Sequence, residues 1–198
     1  AGYGGTSMPF AATVGASRGL RVLGLFWIVL CAASLGIALV AQHAMGMQPC
    51  PWCVVQRLLM LASMGCMLLV LGSLRVPIAL VLPLLANFVF QVAGIAAAGY
   101  QFLVASRSAR CDLGLADRIL IASGLEQAWP WMFAASTSCT EAASATLLGF
   151  PFSLLALGFF ILGLGLALAM AWFAWRTVFG PDPALHTISS ADTRQGLR

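Results

Sequence analysis

The chain has 198 residues, of which 61% are hydrophobic and 8% charged; ten arginines and no lysine stand against six acids, a formal charge of +4. About a quarter of an ordinary soluble domain is charged, so these side chains cannot clothe a water-soluble surface and the bilayer is the expected solvent. The arginines fall at segment ends and form no patch, which excludes a nucleic-acid footprint.

Taken in chain order, "AGYGGTS" ahead of Met8 reads as a tag remnant or disordered tail, and residues 1–18 are set aside from the fold. Spanning a bilayer as helix takes about 20 mostly apolar residues. Four stretches qualify, at about 22–40, 54–74, 76–102 and 149–175. The first exceeds the roughly 7–15 residue core of a secretory signal and reads as a retained anchor. Arg75-Val76-Pro77 leaves so short a turn that the second and third spans must be antiparallel neighbours. Pro83 is expected to kink the third helix or to sit in its first turns. The fold class expected is therefore an all-α membrane protein, a four-helix bundle over residues 19–176. The tail, 177–198, is polar, carries two prolines and reads as disordered.

Orientation follows the arginines. Arg18, Arg21, Arg75, Arg176, Arg194 and Arg198 share one side of a four-span topology, expected to be the cytoplasm. Both termini then face inward. The short loop at about 41–53 and the long loop at about 103–148 face outward. In the long loop Arg107, Arg110 and Arg118 are offset by Asp112, Asp117, Glu126 and Glu141. Its "LGLADRILIASGL" and "WPWMF" read as a short amphipathic helix on the membrane with an aromatic anchor, or as an irregular loop with packed aromatics.

Six cysteines remain to be explained. Cys31 and Cys66 lie mid-span, where a thiol behaves as a small hydrophobe. Cys50, Cys53, Cys111 and Cys139 all fall in the outer loops, in a compartment that permits disulfides. Four cysteines allow three pairings. Pairing within each loop, Cys50 with Cys53 and Cys111 with Cys139, needs the least rearrangement. A bridge across the long loop can stabilise by about 3–4 kcal/mol. A bridge across two intervening residues constrains little chain, so Cys50 and Cys53 are better explained as a reactive pair. Cys53 lies at a helix N-terminus, whose partial positive charge favours a thiolate. Arg57, four residues on, shares its face and can support that thiolate or a ligand carbonyl; the plainer role is snorkelling to the surface.

Metal binding is disfavoured, because His43 and two thiolates fall short of four ligands and His186 is in the tail. His43 reads as an interfacial residue. "CPWC" is similar to the glutaredoxin active site, but it opens a transmembrane helix where that chemistry needs a βαβ setting. Asn87 and Gln91 read as interhelical hydrogen-bonders. Tyr100 and Gln101, at the outer end of the third span, are level with Cys53 and Arg57 and are candidates to face a ligand. A non-enzymatic four-span scaffold with structural loop bridges is the competing reading. The C-x-x-C in its small loop, beside an intramembrane arginine, counts against it.

The four spans, "PCPWCVVQR", "RCDLGL", "SCTEA" and "LLGFPFSLLALGFF" together resemble the bacterial disulfide bond formation protein B (DsbB) family from about Arg18 to Arg176. The order, C-x-x-C first and loop pair between spans three and four, is that of DsbB and the reverse of the vitamin K epoxide reductase family. The resemblance implies an inner-membrane enzyme that reoxidises a periplasmic DsbA-like thioredoxin-fold protein and passes electrons to ubiquinone or menaquinone, a system that keeps the periplasm oxidising. It further implies that Cys111 takes the mixed disulfide, Cys139 is its partner, Cys139 exchanges with Cys50, and Cys53 beside Arg57 serves the quinone. The long loop must then bring Cys139 to Cys50. Two positions depart from the family pattern. Gln56 stands where many members carry an acid, and "AGYQFLVAS" lacks the histidine usual at the outer end of the third span.

Overall fold

The computed structural model describes residues 10–107, 114–144, 146–147 and 149–179. The N-terminal remnant, most of the tail and Cys111 lie outside the described residues. Four long helices dominate: α1 (Phe10–His43), α2 (Pro51–Gly72), α3 (Val81–Leu103) and, last in the chain, α8 (Phe152–Phe179). Each contains a stretch long and apolar enough to cross a membrane. Between α3 and α8 lie four short helices, α4 (Leu115–Ser123), α5 (Leu125–Ala128), α6 (Pro130–Phe133) and α7 (Cys139–Ser144), and a two-residue hairpin, β1 (Thr146–Leu147) with β2 (Phe150–Pro151).

The long helices close a ring in which α1 packs on α2 and α8, and α3 packs on α2 and α8. At one end Leu20, Val70, Leu80 and Met170 form a common core, so the arginine-bearing ends of the four helices lie together. Arg176 stacks there on Trp172, its guanidinium carbon 4.9 Å from the ring centroid. Pro83 occupies the first turn of α3, the position where a missing N–H costs nothing, and the short 3-10 turn Pro77–Leu80 precedes it. The hairpin interrupts the all-helical expectation just before α8. Its turn uses Gly149 at φ 82°, a left-handed conformation open to glycine at no steric cost.

Apolar burial does not drive helices together in lipid, so close packing and hydrogen bonds must do so. Both are present. Trp27 Nε1 donates to Ser63 Oγ at 2.7 Å, Ser63 Oγ donates to Asn87 Oδ1 at 2.6 Å, and Gln91 Nε2 donates to Ser63 Oγ at 2.8 Å. This buried cluster ties α1, α2 and α3 and is where Asn87 and Gln91 act. On the other side, the Gly94 backbone lies directly on the fully buried Phe160 ring of α8, with no room for a Cβ. Gly94→Ala is expected to lower stability by about 1–3 kcal/mol through overpacking, read as a fall in unfolding temperature in detergent. Gly99→Ala, where a Cβ meets nothing within 4 Å, is the control expected to stay near wild type.

Candidate functional site

The opposite end of the bundle holds Cys50, Cys53 and Cys139. Pro51 is the first residue of α2, and Cys50, extended at φ −84° and ψ 165°, is its N-cap. A residue before proline is driven to extended backbone, and proline at the first helical position has no N–H to lose. The sequence C-P-x-C therefore puts one cysteine at the N-cap and the other three residues on, in the first turn. Those two positions face each other across a helix N-terminus. The result is a Cys50 Sγ to Cys53 Sγ distance of 3.0 Å. Cys53 thus stands inside the first turn of α2, among the N–H groups that have no intrahelical partner.

Cys139 opens α7 and is buried against Cys50 and Ala105. Helix α7 packs on the 3-10 turn Ala105–Arg107 that ends the third span, so the long loop already carries Cys139 to Cys50. Hydrogen bonding to Cys139, then to Cys53, then burial all hold the Cys50 thiol well above the usual thiol range. A reduced Cys50 accordingly stays protonated and is a poor nucleophile.

Backbone and side-chain bonds fasten the long loop over this end. Ser136 N donates to Pro49 O at 3.1 Å, and Ser136 Oγ bonds Gln48 Oε1. His43 Nε2 pairs with Trp131 O at 2.9 Å. Helix α4 forms where the amphipathic stretch was expected. Asp117 accepts from Gly114 N at 3.0 Å at its start, and Gly124 at φ 64° ends it. Ala116 and Leu120 pack with Phe133 on Val54 and Val55 of α2, while Leu115, Ile121, Trp129 and Trp131 stay exposed.

Arg57 does not snorkel. It is 6% exposed, and its Nη1 donates to Gln42 Oε1 at 2.6 Å and to Met132 O at 2.9 Å. Nη2 makes a long 3.5 Å contact with Ala38 O. All three acceptors are neutral, and two are backbone carbonyls. Gln42, the penultimate residue of α1, was not singled out from the sequence. A polar residue at the same depth as Arg57 was the available signal.

Cys53, Gln56 and Arg57 line a cavity of about 320 Å³ whose other walls come from α1, α8, the short loop and α7, including Ile37, Ala38, Pro49, Ala142, Leu155 and Phe159. Mostly apolar walls with a few convergent polar groups are the usual features of a small-molecule site. A quinone has a flat apolar body and carbonyl oxygens that only accept. The donor set fits it: Nη1 is committed to Gln42 and Met132, which leaves Nε and the loosely held Nη2 among the described contacts.

Tyr100 and Gln101 separate sharply. Tyr100 is 48% exposed and stacks on Trp52 with ring centroids 5.0 Å apart. Gln101 is 4% exposed and turns to the sulfurs, with Nε2 at 3.1 Å from Cys53 Sγ and 3.3 Å from Cys50 Sγ. Neither lines the cavity. The polar wall residue beside Arg57 is Gln56, which donates to Gln101 Oε1 at 2.8 Å. Cys31 and Cys66 sit mid-span in the apolar core, in a different cluster from Cys50, Cys53 and Cys139. The relation of Cys111 to Cys139 falls outside the described residues.

The profile of the family described as "Disulfide bond formation protein DsbB" matches residues 20–171. A relative described as "Disulfide bond formation protein B", from Aromatoleum aromaticum (strain DSM 19018 / LMG 30748 / EbN1), is 54% identical over 35 residues, 18% of this chain and 20% of the relative. The chain thus covers about a fifth of the length of that curated relative.

Proposed function

The chain belongs to the disulfide bond formation protein DsbB family, and on that footing we propose that it is a membrane thiol–disulfide oxidoreductase. It reoxidises a periplasmic DsbA-like thioredoxin-fold dithiol protein and delivers the electrons to a membrane quinone, ubiquinone or menaquinone. It sits in a bacterial inner membrane with the arginine-bearing end cytoplasmic and both cysteine loops periplasmic. The observation that carries the proposal is the continuity of Cys139, Cys50 and Cys53 with a cavity walled by Arg57.

The relay is a series of thiolate attacks on disulfides. The donor's thiolate attacks Cys111 of a Cys111–Cys139 disulfide and releases Cys139. Cys139 attacks Cys50, breaking the Cys50–Cys53 bond, and Cys53 leaves with the electron pair at the cavity wall. The quinone, when bound, supplies an acceptor for two electrons and two protons. Arg57 would hold its carbonyl oxygen, and it supports negative charge on Cys53. Cys50 and Cys53 return to the disulfide, Cys111 and Cys139 re-pair, and the donor departs oxidised. The helix N-terminus, apolar walls and buried loop keep this chemistry away from bulk water.

The test is quinone reduction by the full chain in lipid nanodiscs with a reduced thioredoxin-fold donor. Turnover is expected, and no reduction of either quinone would sink the proposal. In the same assay Cys31→Ala combined with Cys66→Ala is expected to retain turnover within about twofold, since both thiols only fill core volume.

A further inference from the structure

The Gln56–Gln101 amide pair has no part in the relay as drawn, yet it touches both of its membrane-side sulfurs. Gln101 Oε1 is occupied by the Gln56 N–H, which turns the Gln101 amino group toward Cys50 and Cys53. Both side chains are buried, and the stack of Tyr100 on Trp52 lies beside them. One donor nitrogen is therefore shared by the two atoms between which a bond breaks.

We infer that Gln101 is a catalytic residue of the exchange, a neutral donor that stabilises the sulfur leaving Cys50, and that Gln56 is the positioning residue that aims it. The inference rests on the relay proposed above. In the step concerned the Cys139 thiolate forms a bond to Cys50 Sγ, the Cys50–Cys53 bond breaks, and Cys53 takes the electron pair. One thiolate is consumed and one is made, with no net oxidation and no proton transferred. A disulfide sulfur accepts a hydrogen bond weakly and a thiolate strongly, so the Gln101 contact gains strength as the bond breaks. Interactions of that kind accelerate a step, whereas uniform ones do not. An amide cannot titrate, so this support is constant across the working pH range. Arg57, on α2 itself, lines the cavity and supplies the formal charge, whereas Gln101 supplies a donor from α3 and does not line the cavity.

The experiment uses the full chain in nanodiscs, saturating quinone and a reduced thioredoxin-fold donor, with acid quench and alkylation to time the release of Cys53. Gln101→Leu is expected to slow that release by about 10- to 100-fold, the range for a lost hydrogen bond to a charged group, with the apparent KM for quinone unchanged. Gln56→Met with Gln101→Met removes both amides and leaves neither unpaired, so it gives the same reading of Cys53 release, though not of quinone KM, if the single variant folds poorly. Gln101→Glu keeps the shape and the bond from Gln56 but turns an acceptor toward the sulfurs. Its rate relative to wild type is expected to rise as pH falls from 8 to 5, because the protonated carboxyl again donates. Release within twofold of wild type in the first two variants, or a Gln101→Glu ratio that does not move with pH, overturns the inference. Cys50→Ser and Cys53→Ser separate the two levels. If they keep turnover, the relay itself fails. If they lose it while the glutamine variants run at the wild-type rate, only the role of Gln101 fails.

Discussion

Cys53→Ser is expected to reduce quinone-coupled turnover to background, and to trap Cys50 joined to Cys139 when the purified chain is oxidised with diamide. Both outcomes follow from Cys50 standing between two sulfurs. It lies 3.0 Å from Cys53 and packs directly on Cys139. A serine at 53 can form no disulfide, so the electron pair has no route to the cavity. Cys50 is then left with one sulfur neighbour among the described residues. Proximity of this kind turns exchange into an effectively unimolecular step. Non-reducing digestion and mass spectrometry would show the linked Cys50 and Cys139 peptides. Cys50→Ser should abolish turnover equally but yield no such link. Persistent turnover in either variant would be incompatible with Cys50 as the junction, and so would a chain carrying both Cys53→Ser and Cys111→Ser whose Cys50 stays reduced after diamide.

The parts of this site that were legible in the sequence are those that depend on short-range geometry. Cys-Pro-Trp-Cys at the edge of an apolar run specifies an N-cap and first turn, because proline and helix start are linked locally. Arg57 at i+4 from Cys53 then follows from the helical repeat. The buried face of α3 was legible as well. Asn87, Gln91, Gly94, Ala98 and Gln101 recur at spacings of four and three and are all buried, which leaves Tyr100 off the face. That phase alone separates Gln101 from Tyr100, although both are polar and adjacent.

What escaped the sequence is what backbone atoms do at a distance. Trp131 and Met132 present carbonyl oxygens to His43 and Arg57. Any residue type has such a carbonyl, so no side-chain pattern announces it. The fixed position of Cys139 likewise depends on α7 meeting the end of the third span, a contact between elements more than thirty residues apart. The loop had to be mobile in the sequence reading to bring the sulfurs together. In the structure Cys139 already lies against Cys50, with the loop fastened at Trp131 and Ser136.

Arg57→Met is expected to raise the apparent KM for quinone by about 10- to 100-fold, the loss of one charge-assisted hydrogen bond of roughly 1.5–3 kcal/mol. Exchange between Cys139 and Cys50 should suffer less, since the departing Cys53 keeps the Gln101 donor and the helix N-terminus when the guanidinium is gone. The same substitution has a second, separable effect. Met132 O and Gln42 Oε1 lose their donor, so the segment from Trp129 to Ser138 should become more sensitive to limited proteolysis. Arg57→Lys distinguishes charge from geometry. A single ammonium can restore a positive charge at the cavity wall, but it lacks the planar fork that serves Gln42, Met132 and a ligand together. The expected ordering for quinone KM is wild type lowest, Arg57→Lys intermediate and Arg57→Met highest. An unchanged quinone KM in Arg57→Met would remove the arginine from the acceptor site and leave it a loop fastener alone. An unchanged proteolysis rate with a raised KM would do the reverse. In the relay proposed above, the buried guanidinium both fastens the loop that carries Cys139 and meets the acceptor, and these two measurements read those duties independently.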